Sequence, residues 1–182
     1  MNEPVPVGGD AQPAVRRPPL LVTAALPADV LAWADGLRKA HFPPERNKLQ
    51  AHVTLFHALP PSVEEELRQI LADLAGSPRP EARISGLMKL GGGTALAIES
   101  AGMVELHAAI AERMHGLMTR QDAQPLKLHI TIQNKVTTQA AQELQTQLSG
   151  TLERRSFRFR GFDLFAYEDG LWRPLRTFAF RG

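Results

Sequence analysis

Two short segments of the sequence share a residue pattern that could perform acid–base chemistry. The segments 52–55 (HVTL) and 129–132 (HITI) each contain a histidine, an aliphatic residue, a threonine and a second aliphatic residue. Side chains alternate between the two faces of a β-strand, so the histidine and threonine of each segment are expected on one face. Two such strands facing each other would bring two imidazoles and two hydroxyls into one cleft.

These side chains suit chemistry at a phosphodiester. An unperturbed imidazole has a pKa of about 6.5, so His52 and His129 could provide one general base and one general acid near neutral pH. The hydroxyls of Thr54 and Thr131 could donate hydrogen bonds to anionic oxygens between the rings. This scheme needs no metal, and the symmetry of the two segments leaves open which histidine is the acid. A single histidine on a strand is more often an ordinary hydrogen-bonded residue, and the matched pair favours a functional interpretation.

Strand alternation extends the predicted site to neighbouring positions. Phe56 would share the cleft face, where its ring could stack on a nucleobase or simply fill the floor. Lys127 and Lys135, together with Gln133, would share the face of the second segment. The lysines could attract a phosphate, although solvated strand ends also carry lysines.

The other histidines are not expected to join the site. His57 should lie on the opposite face of its strand from His52. His107 falls on the apolar stripe of a predicted helix and is expected in the core or at its rim, whereas His41 and His115 resemble surface residues. The sequence contains no HExxH motif and no pair of histidines at helical i, i+4 spacing, so no metal site is predicted.

Hydrophobic periodicity and proline positions predict the elements that must position these residues. Ser62 and Glu65 form a capping-box pattern at the start of the second predicted helix. Gly91–Gly93 are expected to connect a hairpin. The predicted strands are 20–26, 52–59, 81–90, 94–100 and 128–133, and the predicted helices are 28–41, 62–74, 103–118 and 138–149.

The same order of elements occurs twice along the chain. Residues 20–75 and 94–150 each read strand, helix, strand, helix, and the two His-x-Thr-x segments start 77 residues apart. The sequence therefore predicts an α+β fold of two pseudo-symmetric lobes, with antiparallel sheets around a central cleft and helices outside. Residues 19–182 are expected to form one domain.

The end of the chain has a different composition. Eight of its eleven aromatic residues lie between residues 157 and 180, and seven arginines follow residue 150. The segments 156–167 and 171–181 are predicted to form a long antiparallel pair with its turn at Glu168–Gly170. Tyr167 and Trp172 beside this turn could cover a nucleobase or pack the hairpin, and the arginines could contact RNA or simply solvate the sheet.

Overall composition narrows the class of protein. The chain has 182 residues, a formal net charge of +2 and no cysteine, which excludes disulfides and thiolate chemistry. No apolar run has the length of a membrane span, and the proline-rich residues 1–18 lack the features of a secretory signal. We therefore expect a disordered tail over residues 1–18 and a cytoplasmic location.

Paired His-x-Thr-x motifs in a duplicated α+β chain of this size resemble the two-histidine (2H) phosphoesterase superfamily, in particular its bacterial 2′-5′ RNA ligase and RNA 2′,3′-cyclic phosphodiesterase branch. The resemblance covers roughly residues 20–181, from the strand ending at Leu26–Pro27 to the hairpin containing Trp172. It implies chemistry on RNA or a nucleotide with a 2′,3′-cyclic phosphate or a 2′-5′ linkage. It also implies His52 and His129 as the acid–base pair, with Thr54 and Thr131 holding the phosphate oxygens. We further expect no cofactor and a monomeric protein.

Three alternatives remain at this stage. A non-catalytic RNA- or nucleotide-binding module could retain the cleft, although binding alone does not need two titrating groups. A metal-dependent hydrolase would lose its activity in EDTA. A phosphodiesterase for a cyclic phosphate of a small metabolite would differ only in its substrate.

Overall fold

The fold consists of two four-stranded antiparallel sheets with four helices, seen in a computed structural model that describes residues 17–182. The predicted tail, apart from its last two residues, lies outside the described residues. The strands are β1 (Leu20–Ala25), β2 (Val53–Leu59), β3 (Glu81–Lys89), β4 (Thr94–Glu99), β5 (His129–Gln133), β6 (Ser156–Arg158), β7 (Gly161–Glu168) and β8 (Leu171–Ala179). The helices are α1 (Ala28–His41), α2 (Glu64–Leu74), α3 (Ala101–Arg113) and α4 (Thr138–Ser149).

The strand order confirms the predicted α+β class and its two pseudo-symmetric lobes. One sheet has the order β2-β1-β7-β8 and the other has the order β5-β4-β3-β6. Each repeated unit supplies an edge strand and its neighbour, namely β2 with β1 and β5 with β4. Both His-x-Thr-x segments therefore lie at the free edge of a sheet, where a strand has unpaired backbone groups and can approach the other lobe.

The first and last helices have the predicted bounds. Pro27 precedes α1 and Pro43 follows it, and the buried side chains Val30 and Ala34 repeat at helical spacing. Thr137 caps α4, since its hydroxyl oxygen accepts a hydrogen bond from the Ala140 N–H at 3.2 Å.

The two middle helices differ from prediction at their ends. The capping box at Ser62 and Glu65 is wrong, because Pro61 begins a short 3-10 turn over 61–63 and α2 starts after it without a side-chain cap. In α3 the Ser100 hydroxyl accepts the Met103 N–H, so this helix begins two residues earlier than predicted. It also ends five residues early, and Gly116 in the turn that follows has a φ of 78°, which an α-helix cannot include.

The C-terminal segment divides between the two sheets. β7 and β8 form the predicted hairpin with its turn at Asp169–Gly170. Residues 156–158, predicted in the same pair, instead form β6 beside β3 in the other sheet. The chain crosses between the sheets at Phe159 and Arg160, whose N–H groups donate to carbonyls of Pro80 and Ala25. This crossing links the two lobes through backbone hydrogen bonds.

A β-bulge interrupts each of the two edge strands at the same place in its motif. In β2, Thr54 pairs with Thr23 and Phe56 pairs with Val22, which leaves Leu55 without a partner position. In β5, Thr131 pairs with Ala95 and Gln133 pairs with Thr94, so Ile132 likewise has no partner position in β4. The bulged residue is the fourth residue of each His-x-Thr-x segment. Simple alternation of faces therefore holds up to each threonine and fails after it.

Candidate active site

The cleft is formed where the edge strands β2 and β5 approach each other. His52 immediately precedes β2, and His129 is the first residue of β5. Thr54 and Thr131 follow two residues later and are partly exposed, while the aliphatic residues beside them are buried. In the described part of the chain, neither threonine hydroxyl has a hydrogen-bond partner, so both can donate to a ligand.

The two imidazoles are held by the same backbone contact. The Nδ1 of His52 lies 2.7 Å from the carbonyl oxygen of Gln50, and the Nδ1 of His129 lies 2.6 Å from the carbonyl oxygen of Lys127. A carbonyl only accepts, so Nδ1 carries the proton in both rings. Each ring thus leaves Nε2 for a ligand, where it accepts a proton when neutral and donates one when charged.

The surroundings of His52 favour its neutral form. Its ring packs against Trp172, with ring centroids 4.5 Å apart. The pKa of His52 is lowered to about 4, chiefly by burial. The contact with the Gln50 carbonyl opposes this shift, and electrostatic repulsion from Arg38 and the nearby histidines adds to it. His52 is therefore neutral near pH 7 and can accept a proton.

Arg38 of α1 is a buried cation that joins the lobes beside the two motifs. It is only 3% exposed, and its Nη1 donates to the carbonyl oxygen of Thr131 at 2.6 Å. Its Nε and Nη2 donate to Asn47 Oδ1 at 3.2 and 2.9 Å, and its guanidinium covers the Phe42 ring. Burial lowers the pKa of Arg38, but a guanidinium remains charged in proteins. It therefore supplies positive potential at the cleft.

Sequence reasoning missed Arg38 as a functional candidate. The signal was present, because Arg38 lies four residues after Ala34 on the apolar stripe of α1. A charged residue on a buried helix face needs specific partners, and those partners come in part from the second lobe.

Two grooves flank the histidine pair. The groove beside His52 has a volume of about 220 Å³ and is lined in part by Asp163, Phe165 and Trp172. The groove beside His129 has a volume of about 410 Å³ and includes Thr54 and Lys127. A larger cavity of about 690 Å³ lies elsewhere, where ion-paired side chains of β3, β4 and β6 meet the start of α3. The two smaller grooves are the ones that contain the motif residues.

The structure corrects the predicted orientation of Phe56. Its ring is fully buried and stacks on His107, with ring centroids 4.5 Å apart, so it cannot stack on a nucleobase. The cause is the bulge at Leu55, which directs two consecutive side chains into the core. His107 is 8% exposed, which confirms it as a core or rim residue.

The bulges also change the positions of the lysines and of His57. Lys127 lines the groove beside His129. Gln133 is buried, and β5 ends there, so Lys135 lies in a turn with a φ of 60° and lines neither groove beside the histidines. The expectation that Lys135 shares the face of His129 is wrong. The expectation that His57 points away is also wrong, because His57 lines the groove beside His129 and its side chain is partly exposed.

Within residues 17–182, no three side chains of the metal-binding types are grouped as a metal ion would require. In the same part of the chain, no helix combines the length and apolar character needed to cross a membrane.

The chain matches a known family by sequence and several solved structures by fold. A sequence model of the 2′-5′ RNA ligase superfamily matches residues 26–171, whereas no curated relative matches the chain. The protein TT0787 of Thermus thermophilus has a similar structure, with 18% identity, a TM-score of 0.63 and coverage of 90% of this chain and 98% of that one.

Escherichia coli LigT has the same fold. Its complex with 3′-AMP gives 21% identity, a TM-score of 0.57 and coverage of 91% of this chain and 99% of that chain. Its complex with NADP+ gives 20% identity, a TM-score of 0.55 and coverage of 92% and 99%. With the paired motifs on matching edge strands and the sequence match over most of its length, the chain belongs to the 2′-5′ RNA ligase superfamily.

Proposed function

We propose that the protein is a metal-independent phosphodiesterase for 2′,3′-cyclic phosphate ends of RNA or nucleotides, and that the same site makes and breaks 2′-5′ linkages. The observation that carries this proposal is that both imidazoles make the same hydrogen bond to the backbone. Each Nδ1 is fixed on the carbonyl two residues earlier, so each ring would have Nε2 available for proton transfer. Two proton-transfer groups on opposed strands are what in-line displacement at phosphorus requires.

The unequal surroundings of the two rings suggest their roles. His52 is neutral near pH 7, so its Nε2 would accept the proton of the attacking water. The water oxygen forms a new bond to phosphorus, and the bond from phosphorus to one ribose oxygen breaks. His129 would donate a proton to that oxygen, which leaves as a hydroxyl and yields a phosphomonoester. In the ligation direction a 5′-hydroxyl replaces water, and the two histidines exchange roles for the reverse reaction.

The residues around the histidines would hold the phosphate. The hydroxyls of Thr54 and Thr131 would donate to its non-bridging oxygens, and buried Arg38 would offset their negative charge. The LigT structures include complexes with 3′-AMP and with phosphate, so a fold neighbour accepts ligands of this chemistry. We carry that ligand class to this chain as part of the proposal.

The test is hydrolysis of 2′,3′-cyclic nucleotides and of RNA with a cyclic phosphate end, in EDTA. Wild type should turn over at least one substrate, and His52→Ala and His129→Ala should each lose at least about 100-fold in kcat. Because the two rings act as a unit, the double variant should lose far less than the product of the single losses. His115→Ala is the matched control, since His115 is exposed and outside the cleft.

Each rival function predicts a different result. Full activity of His52→Ala would exclude the two-histidine mechanism. Activity that EDTA abolishes would indicate a metal-dependent hydrolase. Tight binding of a 2′-phosphorylated nucleotide without turnover would indicate a binding module, and turnover confined to a non-nucleotide cyclic phosphate would indicate a metabolite enzyme.

A further inference from the structure

A third histidine of the cleft, His57, has no role in the mechanism above. It lies in the groove that also contains His129, Thr54 and Lys127. The side chain of His57 is 41% exposed, so the ring is not a core-packing group. The bulge at Leu55 brings it to this side of β2.

Asp122 fixes the orientation of the His57 ring through hydrogen bonds. Its Oδ1 lies 2.8 Å from His57 Nδ1 and accepts the His57 backbone N–H, also at 2.8 Å. Its Oδ2 accepts the backbone N–H of Ala58 at 3.0 Å and the hydroxyl of Thr119 at 3.2 Å. The Asp122 side chain is fully buried, and it comes from the connection between α3 and β5. This carboxylate attaches that connection to β2.

Asp122 is ionised in this setting. Burial by itself would raise the pKa of the carboxyl, but the hydrogen bonds from the side chain and backbone of His57 and from Ala58 outweigh burial and lower the pKa of Asp122. The carboxylate therefore accepts the Nδ1 proton of His57, and the partly exposed ring leaves Nε2 available to a ligand. An ionised partner on one ring nitrogen stabilises positive charge on the ring when an anion binds at the other nitrogen.

The backbone contacts show that the imidazole is not needed as an anchor. Two N–H groups of β2 and the Thr119 hydroxyl already hold the Asp122 carboxylate. The ring adds an oriented, partly exposed side chain to a groove that Gln121 and Gln124 also line. Among the described residues that line this groove, the only carboxylate is Asp122, and its oxygens are occupied by these contacts. The groove therefore offers hydrogen-bond donors and positive charge to a ligand.

We propose that His57 binds a second phosphate of the substrate, the one on the 5′ oxygen of the nucleotide whose cyclic phosphate is cleaved. Lys127 would share this phosphate in the same groove, whose volume of about 410 Å³ is in the range of small-molecule sites. The inference rests on the proposed function. In RNA the second phosphate is the preceding phosphodiester, and in a mononucleotide it is a terminal 5′-phosphate.

The test compares kcat/KM for adenosine 2′,3′-cyclic phosphate with and without a 5′-phosphate. Wild type should prefer the 5′-phosphorylated substrate, and His57→Ala should lose about 10- to 100-fold of that preference, as for a charged hydrogen bond. His57→Gln retains an N–H donor without charge and should fall between the two. His115→Ala, another histidine with an exposed side chain, should keep the wild-type preference.

A dinucleotide with a cyclic phosphate end distinguishes the two sources of the phosphate. If wild type favours it over the unphosphorylated mononucleotide, and His57→Ala does not, the groove binds an RNA chain. If the preference is confined to the terminal 5′-phosphate, the groove binds a mononucleotide phosphate. Both results support the role of His57, and an unchanged preference in both His57 variants overturns it.

A binding measurement separates this inference from the proposed function. Calorimetry with adenosine 2′,5′-bisphosphate and adenosine 2′-monophosphate gives the same comparison without turnover. If wild type hydrolyses nothing, the proposed function fails, and the bisphosphate should still bind more tightly through His57. Equal loss of affinity for both nucleotides on His57→Ala, or no loss for either, would refute the second-phosphate contact. Thermal melting of each variant checks folding, and His57→Gln replaces His57→Ala if the latter is unfolded.

Discussion

At the residue level, His52 and His129 have the same backbone contact and different neighbours. The carbonyl two residues earlier fixes the Nδ1 proton of each ring, which is the part of the site that the repeat explains. The packing of Trp172 on His52 has no counterpart among the aromatic contacts of His129 in the described part of the chain. The two repeated segments thus give one residue type two environments, and under the proposed mechanism this difference would separate the base from the acid.

The threonine hydroxyls should act in catalysis and not in folding. Thr54→Val and Thr131→Val preserve the branched shape but remove the donor to a phosphate oxygen. Because a hydrogen bond to a charged group contributes roughly 1.5–3 kcal/mol, each variant should lose about 10- to 100-fold in kcat/KM. Thr146→Val is the control because Thr146 is an exposed residue of α4, and its kcat/KM should equal that of wild type. Full activity of both cleft variants would place the phosphate elsewhere.

The pH dependence should report the burial of His52. Since burial lowers the pKa of His52 to about 4, the neutral base persists down to that region, and kcat/KM should decline only as the pH falls through it. Trp172→Ala exposes the ring to water, so the pKa of His52 should rise toward its ordinary value. The acid limb of the pH profile should then move to higher pH.

Tyr167→Ala removes an exposed aromatic from the same hairpin and is the control for Trp172→Ala. Its acid limb should coincide with that of wild type. An acid limb near the ordinary histidine pKa of about 6.5 in wild type, or no displacement in Trp172→Ala, would show that His52 is not the base of the free enzyme.

At the level of elements, sequence periodicity predicts the scaffold better than the details of the site. Proline before and after α1 and the apolar stripe between them give its bounds, and the triglycine turn gives the β3–β4 hairpin. Alternation agrees with the burial of Val53 and the partial exposure of Thr54. It fails at Phe56 and His57, because a bulge depends on hydrogen bonding to the neighbouring strand and has no residue signature in HVTL. Long-range pairing also moves residues 156–158 into the other sheet.

The triglycine turn also supports the second motif. A Cβ on Gly93 would lie 2.9 Å from the Cα of Asn134 and closer still to the carbonyl oxygen of Gln133. Gly93→Ala should therefore displace the backbone at the end of β5, because the added methyl group would overlap it. The free energy of unfolding should fall by about 1–3 kcal/mol. Gly86→Ala in β3 is the matched control, because nothing lies within 4 Å of its Cβ position. Chemical denaturation measures both, and equal stability would show that the turn moves freely.

At the level of the whole molecule, the active cleft belongs to neither lobe alone. The edge strands β2 and β5 each present half of the proposed acid–base pair, so the proposed catalysis would depend on how the lobes are held together. Backbone hydrogen bonds at Phe159 and Arg160 join the sheets at one place. Arg38 joins them at the cleft, because it is carried by a helix of the first repeat and donates to the backbone of the second motif. The repeat pattern predicts two lobes but not this contact, which depends on one buried cation.

Arg38 therefore offers a test of whether lobe position or charge controls the site. Arg38→Met fills similar volume but removes the charge and the donor to Thr131, whereas Arg38→Lys keeps the charge and loses the planar fork. We expect Arg38→Met to lose phosphate affinity and at least about 10-fold in kcat/KM, since a donor to a charged or buried group is removed.

Arg68→Met on α2 is the control, because Arg68 pairs only with Glu64 among the described residues. If Arg38→Lys recovers phosphate affinity, the effect is due to charge. If both variants lose the same affinity, the effect is due to the guanidinium hydrogen bond that holds β5. Wild-type phosphate affinity and kcat/KM in Arg38→Met would contradict both roles.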